Sequence, residues 1–178
     1  MPQQPPLSVE QRQRWLRFVE EHNPQIDPRS LRLMDELRMV AHLLYQINES
    51  SLTDAGLSYA QYRILQVLLF IEQTSDDKTL NPSEISRFQG TGRNTVSGLI
   101  RSLEEQGLIE RELDPADRRK FNIRLTATGR QLVTQHAGRH LQIVDEIFRV
   151  LSPEEMEVLS GLLGKLNRQA LEWREHAC

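Results

Sequence analysis

Cysteine is nearly absent from this chain: Cys178 is the only one, and it is the last of 178 residues. That excludes an intramolecular disulfide and a metal site built from several thiols, and it fits a reducing cytoplasm. An apolar run of about 18 residues is also missing, as is a charged-then-apolar leader with a cleavage site, so neither a membrane span nor a signal peptide is expected. No HExxH, GxSxG or phosphate-loop pattern occurs, and no Ser, His and Asp set is grouped locally. The expectation is a protein that is not an enzyme and uses no cofactor. His136 and His140 stand one helical turn apart, a spacing compatible with a metal. No carboxylate or thiol nearby in sequence completes a ligand set, so a solvated pair is expected, and no metal site.

Net positive charge is lacking too. The chain carries 22 Lys and Arg against 25 Asp and Glu, a net charge of −3, which argues against a general nucleic-acid coat and makes local charge the relevant quantity. Acid is absent between Glu84 and Glu104, where Arg87, Arg93 and Arg101 fall. From Pro115 to Gln131 the cations Arg118, Arg119, Lys120, Arg124 and Arg130 face one acid, Asp117. The composition, 38% apolar and 26% charged, is that of a folded soluble chain able to bury a core.

The chain is organised around Gly90 to Leu125. Val96, Leu99, Ile100 and Leu103 have the spacing of one buried helical stripe, and Arg93, Asn94, Ser97 and Arg101 fall away from it. Thr91 is placed as the N-cap and Gly107 as the C′ stop, predicting a helix from about Gly92 to Gln106. Two strand-like runs follow, Leu108 to Leu113 and Phe121 to Leu125, the second alternating apolar and polar. Asp114-Pro115 marks the turn between them. The result is a hairpin whose tip holds Arg118, Arg119 and Lys120, charge that suits a phosphate backbone or a narrow minor groove. Upstream, Asn81, Pro82 and Glu84 read as N-cap, N1 and N3 of a short helix carrying Ile85 and Phe88 inward and ending at Gly90. Short helix, glycine turn and polar-faced helix make a helix-turn-helix, whose second helix enters the major groove. Arg93, Asn94, Ser97 and Thr95 are the candidates for base edges, since Arg pairs with guanine and Asn with adenine. Arg101 is placed against phosphate, and so is Ser83 in the first turn of the short helix. Gly98 is costly inside a helix and implies close approach of another backbone or of DNA.

These stretches, Asn81-Pro82-Ser83-Glu84-Ile85, Val96 to Leu103, Glu104 to Arg111, and above all Asp114-Pro115-Ala116-Asp117-Arg118-Arg119 followed by Arg124-Leu125-Thr126-Ala127-Thr128-Gly129, resemble the multiple-antibiotic-resistance regulator (MarR) family of bacterial transcription factors. The resemblance spans about Arg29 to Trp173. It implies a dimer with recognition helices in successive major grooves and wings in the flanking minor grooves. By position, Arg119 resembles the wing arginine that enters the minor groove, and Asp117 the carboxylate that orients it. It also implies a small aromatic or phenolic anion as effector, bound between the winged-helix and dimerisation regions. One branch, the urate-responsive regulators, carries an extra N-terminal helix with a tryptophan, which Trp15 resembles; where that branch has an aspartate, this chain has Arg63. Trp15 and Arg63 are the candidate ligand residues.

The remaining chain is read as helices. Residues 1–7, rich in proline and glutamine, are expected to be disordered. Ser8 with Gln11 opens a helix to about Glu21 bearing Trp15, Phe18 and Val19, for which plain packing is the simpler role. Asp27-Pro28 starts a long helix to about Glu49 with Leu31, Met34, Leu37, Ala41, Leu44 and Tyr45 inward. Ser58 and Gln61 cap the next, with Leu65, Leu68 and Leu69 inside. A polar loop with one short β-bridge near Leu80 precedes Asn81. Thr126 caps a helix to about Val150 that buries Leu132, Val133, Leu141, Val144, Ile147 and Phe148, and Ser152, Pro153 and Glu155 cap the last, with Met156, Leu159, Leu162, Leu163, Leu166 and Trp173 on it. So much apolar surface implies a two-fold dimer with recognition helices about 34 Å apart.

The expected architecture is mainly α with a small β-hairpin wing: N-terminal helices over 8–52 and a C-terminal hairpin over 126–178 for dimerisation, flanking a winged helix-turn-helix over 53–125. The expected function is a cytoplasmic, homodimeric, DNA-binding repressor on a pseudo-palindromic operator, released by a small aromatic ligand. Its partners are double-stranded DNA, a second copy and that effector. A winged-helix protein-interaction module and a constitutive regulator without ligand are the competing readings.

Overall fold

The computed structural model describes residues 8–75, 79–113 and 121–176, apart from the side chain of Val9. The expected disorder of 1–7, the charged hairpin tip at 114–120, most of the acidic part of the loop at 76–78 and Cys178 lie outside those residues. In chain order the elements are α1 (Val9–His22), α2 (Pro28–Ser51), a 3-10 turn (Thr53–Ala55), α3 (Tyr59–Thr74), α4 (Pro82–Gln89), α5 (Arg93–Glu105), β1 (Ile109–Leu113), β2 (Phe121–Leu125), α6 (Ala127–Phe148) and α7 (Pro153–His176). The fold is therefore mainly α with a two-stranded antiparallel hairpin. No helix among the described residues is long and apolar enough to cross a membrane.

Two compact units divide the chain, residues 1–50 and 51–178. In the first, Ser8 and Gln11 form a reciprocal capping box that starts α1, satisfying two of the orphan donors of a helix N-terminus. α1 is tied to α2 by a charged pair: Arg12 Nε donates to Asp35 Oδ2 at 2.7 Å. Arg38 adds a second contact to the same carboxylate at 3.1 Å. Asp35 is only 4% exposed, and the Arg12 guanidinium holds its carboxyl below the ordinary carboxylate range. Met34 and Leu33 on the same helix are exposed, so the inward placement of Met34 fails within this unit; α1 is too short to cover a helix of 24 residues.

In the second unit the core runs through α3. Tyr62, Ile64, Leu65 and Leu68 meet Ile85 of α4, Val96, Ile100 and Leu103 of α5, Ile109, Ile123 and Leu125 of the sheet, and Val133 of α6. Capping boxes at Ser58–Gln61 and Asn81–Glu84 start α3 and α4, as the sequence indicates. The strands pair with Ile109 opposite Leu125 and Leu113 opposite Phe121, and Leu80 joins as a bridge to Ile123. That bridge binds the loop before α4 to the wing, so helix-turn-helix and hairpin share one framework.

Several packing expectations differ. Phe88 is 49% exposed, because the inward line of an eight-residue α4 is already taken by Ile85 and Gln89, one turn apart. In α6 only Gly129 and Val133 are buried, and Leu141 is 66% exposed. In α7 nothing is buried. These stripes are helical and apolar as read, but the described residues of this unit leave most of them uncovered.

Candidate nucleic-acid interface

The turn of the helix-turn-helix is set by its backbone. Gly90 adopts the left-handed conformation at φ 62°, which a side chain disfavours. Ser86 Oγ then donates to the Thr91 carbonyl at 2.5 Å. Thr91 does not cap α5: its hydroxyl donates to the Gln89 carbonyl, and Gly92 occupies the N-cap with no side-chain bond. The difference arises because Thr91 is held one position too early by that turn. The first N–H groups of α5 are left without a side-chain cap, and no acid lies in its first turn, so the positive end of the helix dipole is unopposed.

On α5 the buried stripe is Val96, Ile100 and Leu103, with Leu99 half-buried against the core. Arg93, Asn94, Thr95, Ser97 and Arg101 are all exposed. Asn94, Ser97 and Arg101 share one face at i, i+3 and i+7, so the structure brings these candidates together. Neither Arg93 nor Arg101 pairs with a carboxylate among the described residues. Ser97 Oγ donates to the Arg93 carbonyl at 2.9 Å, leaving its lone pairs outward as acceptors. Ser83 lies exposed in the first turn of α4, its N–H accepted by Asn81 Oδ1 at 3.0 Å. A Cβ at Gly98 would meet nothing within 4 Å among the described residues, so no neighbouring backbone among them explains that glycine.

The wing is less cationic than its sequence. Arg124 binds Glu110 at 2.9 Å and Glu112 at 2.6 Å, and Arg130 is paired with Glu72 at 2.6 Å. Two of the five cations counted between Pro115 and Gln131 are thus neutralised within the fold. Asp117, Arg118, Arg119 and Lys120 lie outside the described residues. The anchoring of the wing escaped the sequence reading: Thr126 Oγ1 donates to the Gly107 carbonyl at 2.7 Å and accepts the Gly129 N–H at 3.0 Å. The TxxG spacing hints at the cap, but the Gly107 contact spans 19 residues.

The ligand candidates fall in separate units. Trp15 is half-exposed and lines a cavity of about 390 Å³ with Arg12, Leu31, Met34, Asp35 and Arg38, all within residues 1–50. Arg63 is half-buried on α3. His140 is not solvated as expected: its ring lies 5.9 Å from that of Tyr59 and 5.8 Å from that of Tyr62, and burial lowers its pKa from the ordinary value.

A family model described as MarR family matches residues 55–120, the helix-turn-helix and wing. The HTH-type transcriptional repressor YetL of Bacillus subtilis is 27% identical over 141 residues, 79% of this chain and 82% of that protein. Among solved structures, the Staphylococcus aureus MepR–DNA complex superposes with a TM-score of 0.69 at 27% identity, over 76% of this chain and 96% of that one. Bordetella bronchiseptica BpsR, whose DNA binding is regulated by 6-hydroxynicotinic acid, gives a TM-score of 0.66 at 26% identity, over 76% and 98%. With a helix-turn-helix bridged to a two-stranded wing, the chain is similar across residues 55–120 to the MarR family of winged helix-turn-helix transcriptional regulators, which are not enzymes.

Proposed function

We propose that the protein is a sequence-specific DNA-binding repressor that works in the cytoplasm as a homodimer on a pseudo-palindromic operator. The observation that carries this reading is α5: a helix anchored by Val96, Ile100 and Leu103, with Arg93, Asn94, Thr95, Ser97 and Arg101 exposed together and neither guanidinium paired with a carboxylate among the described residues. Its uncapped, acid-free N-terminus suits phosphate, as does Ser83. The empty space at Gly98 lets a groove wall approach the helix axis. Arg118, Arg119 and Lys120 follow as minor-groove cations, Arg119 being oriented by Asp117. Residues 53–125 form the DNA-reading region, flanked by dimerisation helices over 8–52 and 126–178.

Dimerisation is supported by α7, where Met156, Leu159, Leu163, Leu166 and Trp173 recur at helical spacing and all are exposed. Such a stripe on a soluble chain calls for a partner surface. Release is assigned to a small aromatic or phenolic anion, in keeping with the hydroxynicotinic acid of BpsR. Trp15, beside the cavity of the first unit, offers a ring face to such a ligand, and Arg63 in the second unit is a separate candidate cation.

The test is binding of the purified protein to a fluorescent duplex from its own upstream region across a salt series, beside Arg119→Ala. Affinity that falls with salt and is weakened in the variant is the expected result. If neither protein binds that duplex or any fragment in a genomic DNA selection, the reading is wrong and the winged helix is a protein-docking module.

A further inference from the structure

A recognition helix reads sequence only if its side chains are held within about 0.5 Å and 10–20° of the reading geometry. Apolar contacts are not directional, so the stripe of Val96, Ile100 and Leu103 fixes which side of α5 is buried without fixing its rotation closely. Hydrogen bonds are directional. Two side-chain links leave α5 for other elements of the described structure. One is Glu104 to Arg111 of β1 at 2.8 Å, with both side chains partly open to solvent, the kind of pair that contributes little. The other is part-buried, with one partner in the core.

Gln61, in the first turn of α3, is 8% exposed. Its Oε1 accepts the Ser58 N–H at 2.8 Å, which fixes the orientation of the amide and leaves Nε2 as the donor on the far side. That Nε2 donates to Ser102 Oγ, on α5, at 3.0 Å, across 41 residues of sequence. Gln106 Nε2, just past the end of α5, donates to the same oxygen at 3.1 Å. Both ends of the Gln61 amide are therefore committed, one to the cap of the supporting helix and the other to the recognition helix. Ser102 lies on the flank of α5, between its buried stripe and its exposed face, where a fixed contact resists rotation.

We propose that Gln61 is a positioning residue that sets the rotation of α5 through Ser102, and so determines sequence discrimination rather than general DNA affinity. This rests on the DNA-binding reading above. Phosphate contacts tolerate a small rotation of the helix, because charge acts at a distance and carries no sequence information. Base-edge contacts from Asn94 and Arg93 do not, since they depend on bond angle.

The experiment uses the full chain with two duplexes, an operator fragment enriched from genomic DNA by the wild type and a scrambled duplex of equal length. The variants are Gln61→Met, Ser102→Ala and their combination, with Ser58→Ala as a control that removes only the hydroxyl of the cap. Gln61→Met and Ser102→Ala are each expected to lower operator affinity about tenfold, the scale of one broken part-buried hydrogen bond. Affinity for the scrambled duplex stays unchanged, and the double variant loses no more than the larger single loss. Ser58→Ala lowers Tm but leaves the ratio of the two affinities alone. An unchanged ratio in folded Gln61→Met, additive losses, or the same ratio change in Ser58→Ala would overturn the proposal. Should Gln61→Met fail to fold, Ser102→Ala decides by the same criterion. A wild type that enriches no fragment defeats the DNA-binding reading itself, and this inference with it.

Discussion

Gly129, in the first turn of α6, lies so close to the Leu108 carbonyl oxygen that a Cβ built on it would overlap that atom. The same carbonyl accepts the Thr126 N–H at 3.1 Å, so the start of α6 is pressed against the chain leaving α5. This contact, with the Thr126 hydroxyl on Gly107, joins the recognition helix to the long helix beyond the wing.

Gly129→Ala therefore forces backbone apart rather than a flexible side chain. A loss of about 1–3 kcal/mol is expected, as for overpacking of a tight core, and thermal or urea unfolding would measure it. Gly98→Ala, which meets nothing within 4 Å among the described residues, is expected to be neutral or slightly stabilising through helix propensity, while weakening DNA binding if a groove wall lies against it.

The Arg12–Asp35 pair makes the α1–α2 unit sensitive to acid. Asp35 has its pKa lowered, first by the Arg12 hydrogen bond. A depressed folded pKa gives stability that is present above the unfolded value near 3.8 and lost as pH falls through the folded one. Unfolding followed by Trp15 fluorescence in a Trp173→Phe background should show an acid transition below about pH 4. Asp35→Asn should be less stable at neutral pH and flatter through that transition.

His140 predicts a second, milder slope. Burial lowers its pKa from 6.5, so the unfolded chain takes up the proton first as pH drops. Its contribution is complete above 6.5, declines below that, and levels off under the folded pKa. Urea midpoints compared at pH 7.5 and 5.5, about one unit either side, should differ less in His140→Phe than in the wild type.

On α5, Arg101→Ala is expected to weaken binding to all duplexes alike and to reduce the salt slope by about 1. Asn94→Ala should instead cost about 1–3 kcal/mol at one operator position and relax preference there. A salt titration on matched and single-mismatch duplexes separates the two.

The α7 stripe gives a prediction about assembly. Leu163→Glu places a charge on a face that the proposed partner would bury, and sedimentation should show a monomer with unchanged helix content. A variant that stays dimeric would move the interface elsewhere.

Most of the site was legible locally. The caps at Ser8, Ser58, Asn81 and Thr126, the Val96–Ile100–Leu103 stripe and the inward Ile123 and Leu125 of β2 depend on neighbours within a few residues, and each appears in the structure, whereas Phe121, at the tip end of β2, is exposed. The Thr91 cap was misplaced because Ser86 and Gln89, on the preceding helix, hold that residue in the turn. Phe88 was placed inward because hydrophobicity alone does not say which side of a short helix meets the core.

The sequence by itself determined the order of the elements, the identity of the recognition helix and the polar, cationic character of its exposed face. Period, caps and turn residues act over three or four positions, and they are written in the chain. Only the tertiary structure decided which charges remain available and how the helix is held. Arg124 and Arg130 are neutralised by Glu110, Glu112 and Glu72, and Gln61 reaches Ser102 across 41 residues. Gly129 is required by a carbonyl that arrives from another element. Partners so far apart in sequence meet only when hydrophobic burial has brought their elements together, and no local pattern encodes that meeting.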